Sequence, residues 1–322
     1  HTRYWRDWSS DVCSSDLFIL SYDADAAIDG FGAQALRILG IFSIASSLHF
    51  KYRHIPILAV PREEMSKDFV SDEEYANLLS LYNSILDFPS SEKINENVSV
   101  IHKNAIWTRE LLKLLFHSLL SKKQFELRIS KPQGILDSFP QIYRFSRKRI
   151  QSNLVKHLPK HSPFRKYVAI HIRAEHHGPN KIRKHLSPNY YRRVLEYHEV
   201  SKILSEGGGL IVHTDFYPSD FRDPDKSYRV QMFHEFFQEI EQMSDSVHIK
   251  HYAPIEETLH DLIWSDVLIM SRSSLSYFAG IASSGTVIYP SCHGHAKIPR
   301  WVLGPKNVQD ALFSDEGFFP IE

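Results

Sequence analysis

The stretch VAIHIRAEHHG, Val168 to Gly178, decides the fold. A strand-like apolar run stops on Arg173, and Glu175, His176 and His177 follow at once. In an open parallel sheet, ligands sit beyond the carboxyl ends of the strands. Charge crowded at such an end therefore reads as a site. His171 lies two residues before Arg173 and shares its face of the strand.

The same period continues downstream. SPNYYRRVLEYHEVSKIL predicts a helix opened by Ser-Pro. Strands GGGLIVHTD, VHIKHY, VLIMS and TVIYP then alternate with helices YRVQMFHEFFQEIEQM, IEETLHDLIWSD and SSLSYFAGIASS. Five strands with four helices between them predict a Rossmann-like parallel sheet over residues 166–322.

Upstream, FILSYD predicts a strand, followed by a glycine turn, ADAAIDGFG. QALRILGIFSIASSLHF predicts a helix with an apolar face wide enough to be buried against a sheet, and IPILAV predicts the next strand. Residues 62–150 read as mostly helical, in EEYANLLSLYNSILDF, TRELLKLLFHSLLSKKQFEL and the start of FPQIYRFSRKRIQSNLVKHL. PKHSPFRK, residues 159–166, is a break suited to a hinge. The expected fold class is α/β, with two Rossmann-like domains at 18–158 and 166–322 and a deep ligand cleft between them.

Residues 1–17, HTRYWRDWSSDVCSSDL, have no hydrophobic period and contain the near-repeat SSDV and SSDL. They read as a non-native segment, the translated read-through of a sequencing adapter, and are set apart from the fold. With Cys13 set aside, Cys292 stands alone, and nothing calls for an oxidising compartment. Of the 322 residues, 43% are hydrophobic, enough for two ordinary cores. Lys plus Arg and Asp plus Glu both total 38, which disfavours a nucleic-acid grip built on surplus positive charge. No unbroken apolar run approaches the roughly 18 residues of a spanning helix; the nearest is ILGIFSIA.

Three places carry candidate chemistry. Gly30 and Gly32 lie between a strand and a helix, where glycine lets backbone amides approach a ligand; tight packing of helix on strand explains them equally well. Gln34, at the helix start, either points its amide into the cleft or caps the turn. The guanidinium of Arg173 suits bidentate contact with phosphate, against the alternative of a surface arginine paired with Glu175. Ser273, Ser274 and Ser276 follow strand VLIMS at the start of the next helix, where hydroxyls and open amides form an anion site, against the alternative of plain N-capping. Two anion-binding elements at strand ends of one sheet favour a phosphate. Cys292, His293 and His295 fit no standard zinc spacing, so no metal is expected. His176, His177 and His185 read as loop residues, and Lys181 to Lys184 as a solvated or acceptor-facing cluster.

Taken together, these segments resemble the fucosyltransferases of the α1,2, α1,6 and protein-O- types. GFGAQALRILGIFSIASSLHF is similar to their G-x-G-N-Q segment and its helix, VAIHIR to their H-x-R segment, and SDVLIMSRSSLSYFAGIASSGTVIYP to their late serine motif. All three occur in the family's order. The resemblance implies a GT-B arrangement and a glycosyltransferase using a nucleotide-sugar donor, GDP-fucose, with a glycan or other hydroxyl acceptor. It implies inversion without a required metal and no prosthetic group. It assigns the donor pyrophosphate to Arg173, support of it or contact with the nucleotide to His171, and phosphate or nucleotide to Ser273, Ser274 and Ser276. Gly30, Gly32 and Gln34 would line the cleft, and Asp215 would stand as a strand-end acid. Glu175 is the candidate base, or else the partner of Arg173. Ala33 stands where relatives carry Asn, which keeps a catalytically inactive GDP-sugar or glycan binder in view, as well as another nucleotide sugar. The expected location is the cytoplasm or, by peripheral association, a membrane surface if the source is bacterial.

Overall fold

The computed structural model describes residues 18–24, 30–60, 71–91, 98–106, 108–121, 123–160, 162–173, 185–216, 228–305 and 312–313. It divides the chain into two compact units, with the boundary between His157 and Leu158.

Unit 1 runs β1 (Phe18–Tyr22), α1 (Phe31–Leu48), β2 (Lys51–Arg53), α2 (Asp72–Ile85), β3 (Ser99–Ala105), α3 (Thr108–Ser121), β4 (Phe125–Lys131), α4 (Gln133–Ser138), a 3₁₀ turn (Pro140–Tyr143) and α5 (Arg144–His157). Its sheet has the order β2-β1-β4-β3, with every pairing parallel. Every residue of β1 is buried, the pattern of a strand covered on both faces. By length and composition α1 alone among the described helices could cross a membrane, yet 72% of it is buried inside the fold. Counting unbroken apolar residues missed this length, because Gln34, Arg37 and Ser43 are buried within the helix. Glu126 ties three strands together. It accepts from Ser21 Oγ at 2.7 Å and Arg128 Nε at 2.9 Å, and pairs with Arg53 at 3.0 Å.

Several expectations here need correction. The strand after α1 is KYR rather than IPILAV. Pro56 has no ladder donor to give, and the amides of Ile57 and Val60 are taken by Asn83 Oδ1 and the Tyr75 hydroxyl instead. The region expected to be mostly helical contains β3 and β4. In β4 the buried Glu126 sits between Phe125 and Leu127 and hides the strand in a charged run. The helix expected from Phe139 opens with the 3₁₀ turn and becomes α-helical only at Arg144.

Unit 2 runs β5 (Tyr167–Ile172), β6 (His185–Leu186), α6 (Pro188–Leu195), α7 (His198–Ser205), β7 (Gly209–Thr214), α8 (Tyr228–Glu241), β8 (Val247–His251), α9 (Ile255–Trp264), β9 (Val267–Ile269), α10 (Ser274–Ala282), β10 (Thr286–Tyr289), β11 (Val302–Leu303) and β12 (Leu312–Phe313). The main sheet has the order β11-β10-β9-β5-β7-β8, all parallel, and β6 pairs antiparallel with β12. From the β8 edge, the chain order of these six strands reads 3-2-1-4-5-6, the arrangement of a dinucleotide-binding Rossmann sheet. Both units are Rossmann-like α/β folds.

The single helix expected after β5 is two, α6 and α7, broken where Tyr197 turns extended. Tyr191, Phe216, Phe233 and Phe236 fill the core under α8, each contributing roughly 1.5–3 kcal/mol. On the other flank, Gly280 allows α10 to lie close to β9 and β10; a Cβ there would come within 3.3 Å of Met270 and Val287.

Candidate functional site

The strand order fixes where unit 2 has its crevice. Connections leave β5 toward β7 and β8 on one side, then cross to β9, β10 and β11 on the other. The topological switch point lies between β5 and β9, and there the carboxyl ends of two neighbouring strands diverge. Parallel strands stand about 4.8 Å apart, so groups just beyond these two ends share one edge. His171 and Arg173 close β5. Ser271, Ser273, Ser274 and Ser276 follow β9.

A hydrogen-bond chain joins the two ends. His171 Nδ1 lies 3.0 Å from Ser271 Oγ, which lies 3.3 Å from Ser276 Oγ. Ser276 Oγ donates to the carbonyls of Ser271 and Ser273, both at 3.1 Å. Its one proton is thereby used, so between the two serines Ser271 is the donor. With Ser271 donating to Ser276, the chain is completed by His171 Nδ1–H donating to Ser271, the tautomer that carries a lone pair on Nε2. Burial holds the imidazole down to about 3, with the charge of Arg173 and the neighbouring His213 adding to the effect. His171 is thus a neutral acceptor beside a cation.

Arg173 is partly exposed, and its Nε is 3.4 Å from Asp215 Oδ2 at the end of β7. The pair spans the ends of β5 and β7. At α10, Ser273 is the N-cap and its hydroxyl accepts from the amide of Leu275 at 3.2 Å. Ser274 is half-buried in the first turn, where open amides and the helix dipole favour an anion.

Behind the edge lies a network that sequence reasoning missed. His213 pairs in register with His171, so the two rings share one face of the sheet. His213 Nε2 is 2.9 Å from Asp261 Oδ2, and Thr258 Oγ1 is 3.1 Å from Nδ1. Asp261 also meets His260 Nδ1 at 3.0 Å and accepts from Lys250 Nζ at 2.7 Å. Burial alone would raise the Asp261 carboxyl, but the hydrogen bonds from His213, His260 and Lys250 outweigh it and hold the group well below the carboxylate range. The overlooked signal was a histidine inside an apolar strand, LIVHT, and an acid inside an apolar helix, TLHDLIW. Ser271 was read only as the end of its strand.

Unit 2 carries His171, Arg173, Asp215, Ser273, Ser274 and Ser276 at the carboxyl ends of β5, β7 and β9, with contacts joining Arg173 to Asp215 and, through Ser271, His171 to Ser276. Gly30, Gly32 and Gln34 belong to unit 1, where Gly30 is the N-cap residue of α1. Gln34 is buried; its Nε2 donates to the Ala59 carbonyl at 2.7 Å and its Oε1 accepts from Tyr22 at 3.4 Å. Glu175, His176, His177 and Lys181 to Lys184 lie outside the described residues, as does the side chain of His185. Among the described residues no group of three or more His, Cys, Asp or Glu could hold a metal. His293 and His295 pack instead on Tyr277, at 5.3 and 5.0 Å between ring centres.

No protein-family model matches the chain, and no curated protein sequence matches it. Solved structures do. POFUT1 in complex with GDP is similar at a TM-score of 0.40 and 12% identity, over 90% of this chain and 98% of that one. POFUT1 in complex with GDP-fucose gives 0.41 and 11%, over 90% and 99%. E. coli heptosyltransferase WaaC with ADP gives 0.40 and 10%, over 89% and 93%. Likenesses this distant say nothing of this chain's substrate, for which the site must speak.

Proposed function

We propose that the protein is a glycosyltransferase that binds a nucleoside diphosphate sugar at the switch point of unit 2. One observation carries this reading. Arg173 and the serine-bearing start of α10 close the two neighbouring strands whose carboxyl ends diverge there. A cation beside a helix N-terminus is suited to a diphosphate. The neutral His171 offers a lone pair, which suits a nucleoside hydroxyl or N–H rather than a phosphate oxygen.

In the reaction, the bond from the anomeric carbon to the diphosphate oxygen breaks and an acceptor hydroxyl oxygen bonds that carbon. The electron pair of the broken bond leaves with the diphosphate, and the hydroxyl proton passes to a base. Arg173 stabilises the charge as it grows, more in the transition state than before it. Inversion follows if the acceptor attacks opposite the leaving group, and Glu175 is the base this reading assigns. The donor is GDP-fucose and the acceptor a glycan or other hydroxyl, both on the resemblance of GFGAQ, HIR and SRSSLS to fucosyltransferase motifs.

The second reading is a homologue that binds the nucleotide sugar without transferring it. Ala33 in place of Asn, and the internal bonding of Gln34, favour it. Calorimetry with GDP, GDP-fucose, GDP-mannose and UDP-sugars, followed by transfer assays with glycan acceptors, separates the two. GDP-fucose binding with transfer supports the enzyme; binding without transfer supports the binder; no nucleotide binding overturns both.

A further inference from the structure

One face of α5 carries cations that no acidic side chain among the described residues pairs with. From residue 138 to residue 174 the sequence contains no Asp or Glu, in a chain whose charges otherwise balance. Arg144 and Arg147 stand in the first turn of α5, at the positive end of its dipole, and that turn contains no acidic residue. Arg144 and Lys148 are like charges one turn apart, which further destabilises the helix. Arg144, Lys148, Arg149 and Lys156 are all exposed, and none makes an ion pair among the described residues. Arg144 rests on the Phe145 ring, 4.9 Å from its centre, and Arg149 Nε donates to the Asp87 carbonyl at 3.3 Å.

Apolar side chains share this face. At 3.6 residues per turn, the four cations fall within an arc of about 140° that also contains Phe145 and Val155. These two are 39% and 58% exposed, and Phe139, just before the helix, is 43% exposed. The opposite face is fixed to unit 1. Ser43 Oγ donates to Ser146 Oγ at 2.7 Å, and Asn153 Nδ2 donates to the Ile85 and Asp87 carbonyls, both at 3.0 Å. The exposed arc is therefore presented on a held helix.

We infer that α5 docks the protein on an anionic lipid surface, lying along it with Arg144, Lys148, Arg149 and Lys156 among the headgroup phosphates. Phe145 and Val155 then reach the boundary of the acyl chains, which is why a bilayer fits better than a nucleic acid: a phosphate backbone gives exposed apolar tips nothing to enter. This inference is independent of the proposed reaction.

The test is co-sedimentation of the full chain with phosphatidylcholine vesicles, alone or mixed with phosphatidylglycerol. Binding is expected only with the anionic lipid, and raising the salt should release it. The double variant Lys148→Gln, Arg149→Gln should bind at least about tenfold more weakly. Phe145→Ser should weaken binding without changing its salt dependence. Far-UV circular dichroism should match the wild type in each variant, and nucleotide binding should be unchanged. Equal binding to both lipids, no loss in the double variant, no vesicle binding, or preference for an oligonucleotide over vesicles would each overturn the inference.

Discussion

The two units are built alike and differ in the polar groups they place at the ends of their strands. In unit 1 several polar groups around the sheet are tied into the fold. Glu126 holds Ser21, Arg53 and Arg128; Asp23 meets His102 at 2.9 Å; and Gln34 is bound to Ala59 and Tyr22. In unit 2 the corresponding edge carries Arg173 and a helix start rich in hydroxyls, backed by a buried network that fixes the histidines. Architecture alone does not make a site. What distinguishes the second sheet is a cation and an anion-favouring helix end on the two strands that flank its reversal of order.

The sharpest way to break this contrast is to remove one side of it. Glu126→Ala takes a buried carboxylate from between two arginines and should cost about 3–5 kcal/mol of unit 1 stability in urea unfolding. Nucleotide affinity should remain if unit 2 alone holds the diphosphate; loss of affinity in the folded variant would contradict that division. Arg173→Ala should do the reverse, lowering transfer a hundredfold to a thousandfold, about 3–4 kcal/mol in the barrier, with melting unchanged. Arg173→Lys should rescue little, because an ammonium lacks the fork. Wild-type turnover in Arg173→Ala would remove Arg173 from the account.

Acid should weaken unit 2 next. His171 and His293 are each held down to about 3 by burial, whereas an unfolded histidine titrates near 6.5. Above that value neither state is protonated and the full stability is present. As pH falls from about 6.5 toward 3, the unfolded chain gains protons the folded one refuses, and each group removes about 1.4 kcal/mol per pH unit. Unfolding followed from pH 7.5 to pH 5 should show this loss, and His293→Gln should flatten it. A slope unchanged by that substitution would show that His293 is not held neutral. The smallest effect belongs to Ser273→Ala, which removes the N-cap bond to Leu275 and should cost about 1 kcal/mol of stability together with some nucleotide affinity. Loss of stability with unchanged affinity would reduce Ser273 to a cap.

How much of this was legible in the sequence follows from where the apolar pattern was clean. The strands of unit 2 are short, apolar and bounded by turns, and their alternation with helices announced a parallel sheet. Strand order was not legible, because pairing across β5 and β9 joins segments about a hundred residues apart, and the switch point emerges only from that order. In unit 1, β4 was hidden because its acid Glu126 is buried through partners on β1 and β2, Ser21 and Arg53, that no local window contains. β3 is an edge strand with little buried surface, so its side chains show no alternation. At the site, Arg173 and the serines were visible as residue types at strand ends. Ser271, His213 and Asp261 were not, since each looks like an isolated polar residue until its partner is seen.

The most direct test is a crystal structure of the protein with GDP bound. The account predicts the diphosphate between the end of β5 and the start of α10, with the Arg173 guanidinium on its oxygens and His171 Nε2 facing the nucleoside. A diphosphate bound on any other edge, with Arg173 turned away from it, would contradict the central claim.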